Sequence, residues 1–330
     1  AGEVVERPAQ VVKELVENSI DAGANRVRVE IERGGFDRIT VIDDGHGIPK
    51  DELSLAITRH ATSKLSSPDD LSSIETKGFR GEALASIGAV SELVVASRIG
   101  DGDGVQIRVD NGIVGDVEAA GIAPGTRIDV LSLFAKVPAR LSFQRRPSTE
   151  TAAIVDVGVQ MALAEPNAGI LIEVDGRKVL DCPPTESAED RLYDLFGSTS
   201  SELIPLTSSQ ADSDAPGGEK WTGWISPPGL NRSRADDVHI LVNGRPVSPG
   251  PFLQSVRRGY HTRLMVGRHP IGVLLLSLPA DEVDVNVHPT KREVRLKNSW
   301  RVLERLERSI KHTLSQIATR PEASEDTVLE

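Results

Sequence analysis

The sequence contains a single cysteine, Cys182, and aromatic residues make up only 3% of its 330 residues. One cysteine allows no intramolecular disulfide, which favours a reducing compartment over secretion. The longest nearly unbroken apolar run, residues 271–278, is far shorter than the ~20 residues that a transmembrane helix needs. No signal peptide is visible either. These absences predict a cytoplasmic protein that is neither disulfide-stabilised nor membrane-bound.

The composition predicts a folded chain with an uneven charge distribution. A length of 330 residues and 38% hydrophobic residues predict two domains with real cores. Net charge is −11, yet residues 231–320 hold 16 Lys and Arg against 8 Asp and Glu, so the rest of the chain carries −19. This asymmetry fits a polyanion-binding half, and equally a solvated basic face on the last helix. The chain begins at Ala1 and ends in an acidic tail, so we expect it to be part of a longer protein.

The first half alternates helical and strand patterns. Proline near the start and glycine past the end predict a helix over residues 8–23, followed by a strand at 26–32 and, at 38–47, a strand running into a glycine turn. The polar stretch 49–77 is typical of a lid or a disordered loop. Alternating segments after residue 90 predict a largely antiparallel sheet. A polar, proline-containing break around 181–190 predicts domains 1–184 and 185–330.

The second half begins with a helical pattern at 190–197. Asn243-Gly244 predicts a tight hairpin turn, because both residues tolerate positive φ. We expect a helix over 251–265, two further strands, and a long basic helix from residue 298. The pattern contains no internal repeats.

Three motifs carry chemistry, and each has an ordinary interpretation. On the first helix, Glu14, Asn18 and Asp21 fall within about 60° of one another, as on a solvated face. The turn 43–47, Asp-Asp-Gly-His-Gly, fits a capped loop or a metal loop, although a calcium hand is excluded by its spacing. Residues 77–88, KGFRGEALASIG, lack the Walker A pattern, and their glycines fit an ordinary tight turn before a helix.

Taken together, the motifs fit binding and hydrolysis of ATP. The Asp43 carboxylate can accept a hydrogen bond from the exocyclic amine of adenine. Asn18 offers a neutral oxygen to Mg²⁺, and Glu14, one turn earlier, can deprotonate an attacking water. Gly78 and Gly81 let backbone N–H groups face the phosphates at a helix start.

The sequence also resembles a known family. The stretches VVKELVENSIDAG, DDGHGI, HATSK, GFRGEALASI and VDVNVHPTKREVRL occur in the order found in the N-terminal ATPase region of the MutL family of DNA mismatch repair proteins. GFRGEALASI and VDVNVHPTK are highly specific. The other motifs are shared by the wider GHKL superfamily, which includes type II topoisomerase ATPase subunits and histidine kinases. The resemblance implies an α+β fold, a GHKL (Bergerat-type) sandwich followed by a ribosomal-protein-like α+β domain.

The resemblance implies a role for each matching position. Glu14 would be the general base, Asn18 the Mg²⁺ ligand and Asp43 the adenine-binding carboxylate. The further nucleotide-binding positions are Gly45 and Gly47 beside the base, Thr62, Ser63 and Lys64 in the lid, Gly78, Phe79, Arg80, Gly81, Glu82, Ala83 and Leu84 at the phosphates, and Thr126. Lys291 would reach from the second domain to the terminal phosphate.

The implied partners are those of mismatch repair. They are DNA bound without sequence preference, the mismatch-recognition protein MutS, a downstream helicase or nuclease, and a second copy paired in the presence of ATP. We expect no membrane partner and a cytoplasmic, nucleoid-associated protein of prokaryotic origin. The basic excess predicts phosphate contacts by Arg257, Arg258, Arg263 and Arg268.

The chain departs from the family at two places, and alternatives remain. Asp44 stands where the family has asparagine, and Lys136-Val137 replaces Asn-Thr before Pro138-Ala139-Arg140. Another GHKL ATPase, such as a topoisomerase subunit, is the nearest alternative. A histidine kinase lacks support because no histidine-bearing dimerisation helix precedes the ATP motifs. A non-catalytic scaffold is disfavoured by Glu14 and Asn18.

Overall fold

The computed structural model describes residues 5–58, 83–207, 218–284 and 294–318. The chain divides into two compact units, 1–197 and 198–330. The helices of the first unit are α1 (Pro8–Asp21), α2 (Lys50–Ala56), α3 (Ala83–Gly88), α4 (Pro138–Ser142), α5 (Pro147–Ala164) and α6 (Ala188–Phe196). Its strands are β1 (Arg26–Glu32), β2 (Arg38–Asp43), β3 (Glu92–Arg98), β4 (Val105–Asp110), β5 (Ile113–Val114), β6 (Glu118–Ala119), β7 (Gly125–Leu131), β8 (Gly169–Val174) and β9 (Arg177–Cys182).

Helix α1 forms where the sequence predicts it. Pro8 occupies the first turn, where its missing N–H costs nothing. Val11, Val12 and Leu15 are fully buried on one side of the helix. The helix ends at Asp21, and Gly23 just beyond it has a φ of +72°, the left-handed conformation that glycine adopts without strain. The apolar stripe therefore fixes which face of α1 points away from the core.

One mixed sheet forms the centre of the first unit. Within the described residues the strand order is β5-β4-β3-β7-β2-β1-β8-β9, with β6 also paired to β4. Only the β1–β8 pairing is parallel among these neighbours, which confirms the predicted largely antiparallel sheet. Helices α1 and α5 pack against each other, with α1 on β2 and β1 and α5 on β8 and β9. The result is the expected α+β sandwich, with β2 and β1 directly beneath α1.

The second unit is a smaller α+β body. Its helices are α7 (Gly250–Tyr260) and α8 (Ser299–Ala318), and its strands are β10 (Ile204–Pro205), β11 (Lys220–Ile225), β12 (Asn231–Arg232), β13 (Val238–Val242), β14 (Arg245–Val247), β15 (His269–Pro270), β16 (Gly272–Ser277), β17 (Val283–Asp284) and β18 (Arg295–Leu296). The main sheet has the order β10-β11-β16-β13-β14. A Cβ on Gly259 would lie 2.6 Å from Ile310 Cβ, so this glycine permits the close packing of α7 on α8.

Several sequence predictions for the second half are confirmed. The hairpin between β13 and β14 turns at Asn243-Gly244, whose φ angles of 49° and 75° match a type I′ turn. The strand within 271–278 is β16, and the last helix begins at Ser299. In the part of the chain that the structure describes, no helix has the length and apolar character needed to cross a membrane.

Three predictions differ from the structure. The start of the polar stretch 49–77 is helix α2, with Asp51 and Glu52 in its first turn and buried Leu53 on its inner side. The helix predicted over 251–265 ends at Tyr260, because His261 takes a φ of 50°. The first compact unit also continues past the predicted boundary at residue 184, since the Arg191 guanidinium of α6 donates to Pro166 O at 2.7 Å.

Candidate active site

The buried end of β2 carries the carboxylate of Asp43, which is 8% exposed. Its Oδ1 accepts hydrogen bonds from Gly45 N at 3.0 Å and from Thr126 N at 3.2 Å. Its Oδ2 accepts one from Ser19 Oγ of α1 at 2.7 Å. Asp43 and Thr126 are paired across β2 and β7, so the sheet register brings the two together. Three separate segments thus hold one carboxylate in place.

Burial dominates the electrostatics of this carboxylate. Removal from water raises the pKa of Asp43 above its ordinary value, since the charged form loses solvation. The hydrogen bonds from Ser19, Gly45 and Thr126 offset part of that rise, and the neighbouring Asp44 charge adds to it. A desolvated carboxylate is a strong hydrogen-bond acceptor for a polar group that arrives in the same pocket.

Gly45 and Gly47 allow the loop after β2 to run close to other backbone. A Cβ on Gly45 would lie 2.8 Å from Ala22 O and 3.1 Å from Asp43 Oδ1. Gly47 has a φ of +78°, and a Cβ there would lie 2.6 Å from Arg98 O. A side chain at Gly45 would crowd the Asp43 carboxylate, and one at Gly47 would clash with the backbone of β3, so the loop needs glycine at both positions.

Asp44, the departure from the family pattern, has a structural role here. Its Oδ1 accepts a hydrogen bond from Arg26 N at 2.8 Å. The exposed carboxylate thereby holds the first residue of β1 beside the turn. The substitution is compatible with the loop because its charge lies at the surface.

The polar stripe of α1 is neither fully buried nor freely solvated. Glu14, Asn18 and Asp21 are each partly buried, although the helix turns its apolar side to the sheet. Ser19, next to Asn18, reaches the Asp43 carboxylate. The helix that carries the predicted general base and metal ligand is therefore tied directly to the predicted adenine-binding residue.

Sequence reasoning missed two serines of this site. Ser19 lies on the buried side of α1 with Val12, Leu15 and Val16, and a lone hydroxyl within that apolar stripe is its signal in the sequence. Ser97 on β3 accepts from Ile48 N at 2.7 Å and donates to Gly125 O at 3.0 Å. Nothing local in the sequence marks Ser97, because its partners lie on other strands.

The remaining predicted positions fall into two groups. Ala83 and Leu84 begin α3, and Leu84 is buried. Outside the described residues lie Thr62, Ser63, Lys64, Gly78, Phe79, Arg80, Gly81, Glu82 and Lys291. Within the described ranges, no cluster of three or more His, Cys, Asp or Glu side chains could hold a metal ion.

The four predicted DNA-binding arginines lie on one chain segment of the second unit. Arg257 and Arg258 are in the last turn of α7, while Arg263 and Arg268 follow before β15. All four are exposed. Arg268 Nε donates to Asn231 Oδ1 at 2.6 Å, which fixes that side chain at the base of the loop.

Two family models match the sequence. The model described as "Histidine kinase-, DNA gyrase B-, and HSP90-like ATPase" matches residues 6–123. The model described as "DNA mismatch repair protein, C-terminal domain" matches residues 193–315. The first match contains Glu14, Asn18 and Asp43, and the second contains the four arginines.

Curated relatives are similar over most of the chain. The DNA mismatch repair protein MutL of Rhizorhabdus wittichii is 46% identical over 300 residues, which is 90% of this chain and 49% of that protein. MutL of Dictyoglomus turgidum is 42% identical over 315 residues, 95% of this chain and 54% of that protein. The chain thus spans about half the length of the curated relatives it matches.

Solved structures agree with the fold. The "Aquifex aeolicus MutL ATPase domain complexed with ADP" is 26% identical with a TM-score of 0.62, and the match covers 84% of this chain and 93% of that one. The "Crystal Structure of N terminal domain of a DNA repair protein" has a TM-score of 0.79 at 24% identity and covers 95% and 96% of the two chains. At that identity the second likeness concerns the fold alone.

Proposed function

The chain belongs to the MutL family of DNA mismatch repair proteins, and from this premise we propose that it binds and hydrolyses ATP to switch the assembly state of a mismatch repair protein. The observation that carries the proposal is the buried Asp43 carboxylate, held by Ser19, Gly45 and Thr126 at the end of β2. A topoisomerase subunit is not favoured, because the relatives similar over most of the chain are MutL proteins.

The Asp43 site suits adenine. The exocyclic amine of adenine offers donors only, and a desolvated carboxylate whose Oδ1 already accepts two backbone N–H groups has Oδ2 to offer to it. Gly45 places no side chain against this carboxylate, since a Cβ there would lie 3.1 Å from Asp43 Oδ1. An amine would therefore meet an acceptor of matching polarity.

Helix α1 supplies the groups for hydrolysis. Glu14 would accept a proton from the water that attacks the terminal phosphate, the usual work of a positioned carboxylate. Mg²⁺, when bound, neutralises charge on the phosphates, and Asn18 would give it one carboxamide oxygen. The donor set fits that ion, since Mg²⁺ keeps several waters and takes other ligands from phosphates rather than from a cluster of carboxylates.

The predicted lid, phosphate loop and Lys291 complete the proposal. The amides of residues 78–84 would hold the phosphates, and residues 62–64 would close over them. Lys291 would stabilise the charge that develops on the transferring phosphoryl oxygens. In this proposal the first unit, residues 1–197, binds ATP, and the second unit, residues 198–330, transmits its state and binds DNA.

At the level of the whole protein we propose the partners of mismatch repair. ATP would pair two copies around DNA, and the pair would connect MutS to a downstream helicase or nuclease in the prokaryotic nucleoid. The exposed Arg257, Arg258, Arg263 and Arg268 would contact sugar-phosphate without sequence preference. Binding of this kind weakens steeply as salt rises.

Separating binding from chemistry tests the proposal. In Glu14→Ala we expect ATP binding within a few-fold of the parent and hydrolysis ~10²–10⁴-fold slower, the usual contribution of a general base. Isothermal titration calorimetry measures the first quantity and a phosphate-release assay the second. Glu189→Ala, an exposed position on α6, is the control and should change neither. Parent-like turnover in Glu14→Ala would remove that residue from the mechanism.

A further inference from the structure

The loop between α7 and β15 exposes two adjacent apolar side chains. Met265 is 83% exposed and Val266 is 96% exposed. Arg268 N donates to Met265 O at 3.1 Å, and Gly267 has a φ of +78°, so residues 265–268 form a closed turn. The two apolar residues occupy the first two positions of that turn, where they contribute almost nothing to the core of the second unit.

The turn is fixed to the structure beneath it. Arg268 Nε donates to Asn231 Oδ1 at 2.6 Å. Directly after the turn, His269 pairs with Arg232 in the antiparallel ribbon of β12 and β15. Before it, Tyr260 at the end of α7 donates its hydroxyl to Ser226 O at 2.6 Å and is fully buried. Contacts on both sides of the turn therefore hold Met265 and Val266 in an exposed position.

The chain segment that contains the turn carries only positive formal charge. From Val238 to Ala280 there is no aspartate, glutamate or lysine, and all the formal charge comes from five arginines. Arg263 lies two residues before Met265, and Arg257 and Arg258 lie in the last turn of α7. In a chain whose net charge is −11, this segment attracts an anionic partner. The guanidinium fork is suited to phosphate oxygens, which it can bind through two parallel hydrogen bonds.

We propose that the Met265–Val266 turn is a wedge that enters the minor groove of duplex DNA and bends it, while the surrounding arginines hold the flanking phosphates. The arginines alone account for phosphate binding, but they give no reason for two exposed apolar side chains between them. Apolar wedges of this size, methionine included, insert between base steps and kink duplexes by ~20–90°. The inference rests on the DNA binding proposed above and adds the groove, the contact and the deformation.

A lipid surface is the competing anionic partner, and the residues favour DNA. Stable attachment to a membrane takes an acyl chain or a long amphipathic face with many buried apolar groups. The turn offers only Met265 and Val266, both within a single β-turn. The cations are all arginine, and the chain belongs to a DNA repair family.

The test compares two paired variants with the parent chain. Met265→Ser with Val266→Ser removes the wedge, and Arg257→Ala with Arg258→Ala removes phosphate contacts. Ile113→Ser with Val114→Ser is the matched control, since strand β5 exposes a similar apolar pair, 74% and 50%, in the first unit. Fluorescence anisotropy over a series of salt concentrations gives affinity, and energy transfer between dyes at the ends of a short duplex with a central TA step gives bending.

The two pairs should fail in different ways. Without the wedge we expect bending to be lost and affinity to fall on the order of tenfold, because buried apolar area is offset by the cost of unstacking. The log–log salt slope should stay that of the parent. Without Arg257 and Arg258 the slope should fall by about two, since each phosphate contact contributes ~0.9. The control should bind and bend like the parent.

The outcomes separate the inference from the proposal on which it rests. If the serine pair binds and bends DNA like the parent while the arginine pair lowers the salt slope, the wedge is rejected and DNA binding stands. A parent chain without salt-dependent duplex binding would overturn both. If the serine pair loses only binding to phosphatidylserine vesicles, the turn is a lipid contact; if it loses only self-association in sedimentation, the turn pairs two copies. Either result rejects the wedge. Equal melting temperatures of parent and variants verify that the changes are local.

Discussion

Replacing Asp43 by asparagine puts an amino group in the place of one carboxylate oxygen, and the hydrogen bonds of the pocket determine which of the two oxygens is replaced. Oδ1 accepts from two backbone donors, Gly45 N and Thr126 N, so the asparagine must keep its carbonyl oxygen there. The amino group then takes the place of Oδ2. Ser19 Oγ can turn its proton to Leu15 O, 3.1 Å away, and accept from the new amino group. Every protein hydrogen bond in the pocket survives the substitution.

The fold and the proposed ligand should therefore respond in opposite directions. Adenine would now bring a donor against a donor, losing a charge-assisted hydrogen bond worth about 1.5–3 kcal/mol and leaving a polar group unpaired. At ~1.4 kcal/mol per factor of ten, a total near 3 kcal/mol weakens ATP binding by at least ~100-fold. Without ATP, the substitution removes a buried charge, which is costly to hold away from water. We expect the free energy of unfolding at neutral pH to equal or exceed that of the parent.

The pH dependence follows from the raised pKa of Asp43 in the folded state. A carboxyl whose pKa is raised by folding contributes most to stability below its ordinary pKa, and that contribution is lost as pH rises through the folded-state value. The parent should thus lose stability relative to Asp43→Asn between pH values just below 4 and neutrality. Urea unfolding of both proteins over this range, with calorimetric ATP titration, measures the two effects. Parent-like ATP affinity, or a variant clearly less stable at neutral pH, would refute the reasoning.

Three further substitutions test other parts of the structure. Gly47→Ala should destabilise the fold by roughly 2–4 kcal/mol in urea unfolding, because its φ is positive and the new Cβ would lie 2.6 Å from Arg98 O; an unchanged midpoint would contradict the close approach. Glu150→Ala should lower the free energy of unfolding by about 2–4 kcal/mol, because Glu150 is 0% exposed and its removal leaves the Arg7 guanidinium, 3.2 Å away, without this carboxylate. Glu150→Gln is the control and should lower the free energy of unfolding by less. Lys291→Ala should bind ATP with an affinity within a few-fold of the parent and hydrolyse it at least ~10-fold more slowly, which corresponds to ~1.4 kcal/mol in the activation free energy. An unchanged rate of phosphate release would contradict the proposed role of Lys291 in hydrolysis.

The sequence predicts elements whose signals are local. Helix α1 has its proline, its apolar stripe and its terminal glycine within sixteen residues, and the β13–β14 hairpin depends on Asn243-Gly244 alone. Helix α2 was missed because serine, threonine and aspartate dominate its surroundings, although acidic residues in the first turn and buried Leu53 marked it. The extent of the first unit was missed because it depends on the non-local contact of Arg191 with Pro166 O.

The residues of the candidate site also divide into those with a local sequence signal and those that depend on non-local contacts. Glu14 and Asn18 follow from helical spacing, and Asp43 from a strand that ends in a glycine turn. Thr126 came only from the family resemblance, because its contact with Asp43 spans 83 residues and depends on the register between β2 and β7. Ser19 could not be assigned from periodicity, since its position on α1 is that of a core residue. Register and rotation of the helix over the sheet are tertiary quantities that a single sequence does not specify.

The contact between Ser19 and Asp43 would couple the proposed adenine site on β2 to α1, the helix that carries the proposed hydrolytic residues. Asn18 and Ser19 are consecutive on α1 and lie 100° apart around it, so one side chain can face a ligand while the other reaches the sheet. Glu14 lies on the same rigid element, one turn before Asn18. A base that bonds to Asp43 Oδ2 changes the environment of the oxygen that Ser19 contacts at 2.7 Å. If adenine binds Asp43 as proposed, this hydrogen bond would link the occupancy of the pocket to the position of α1.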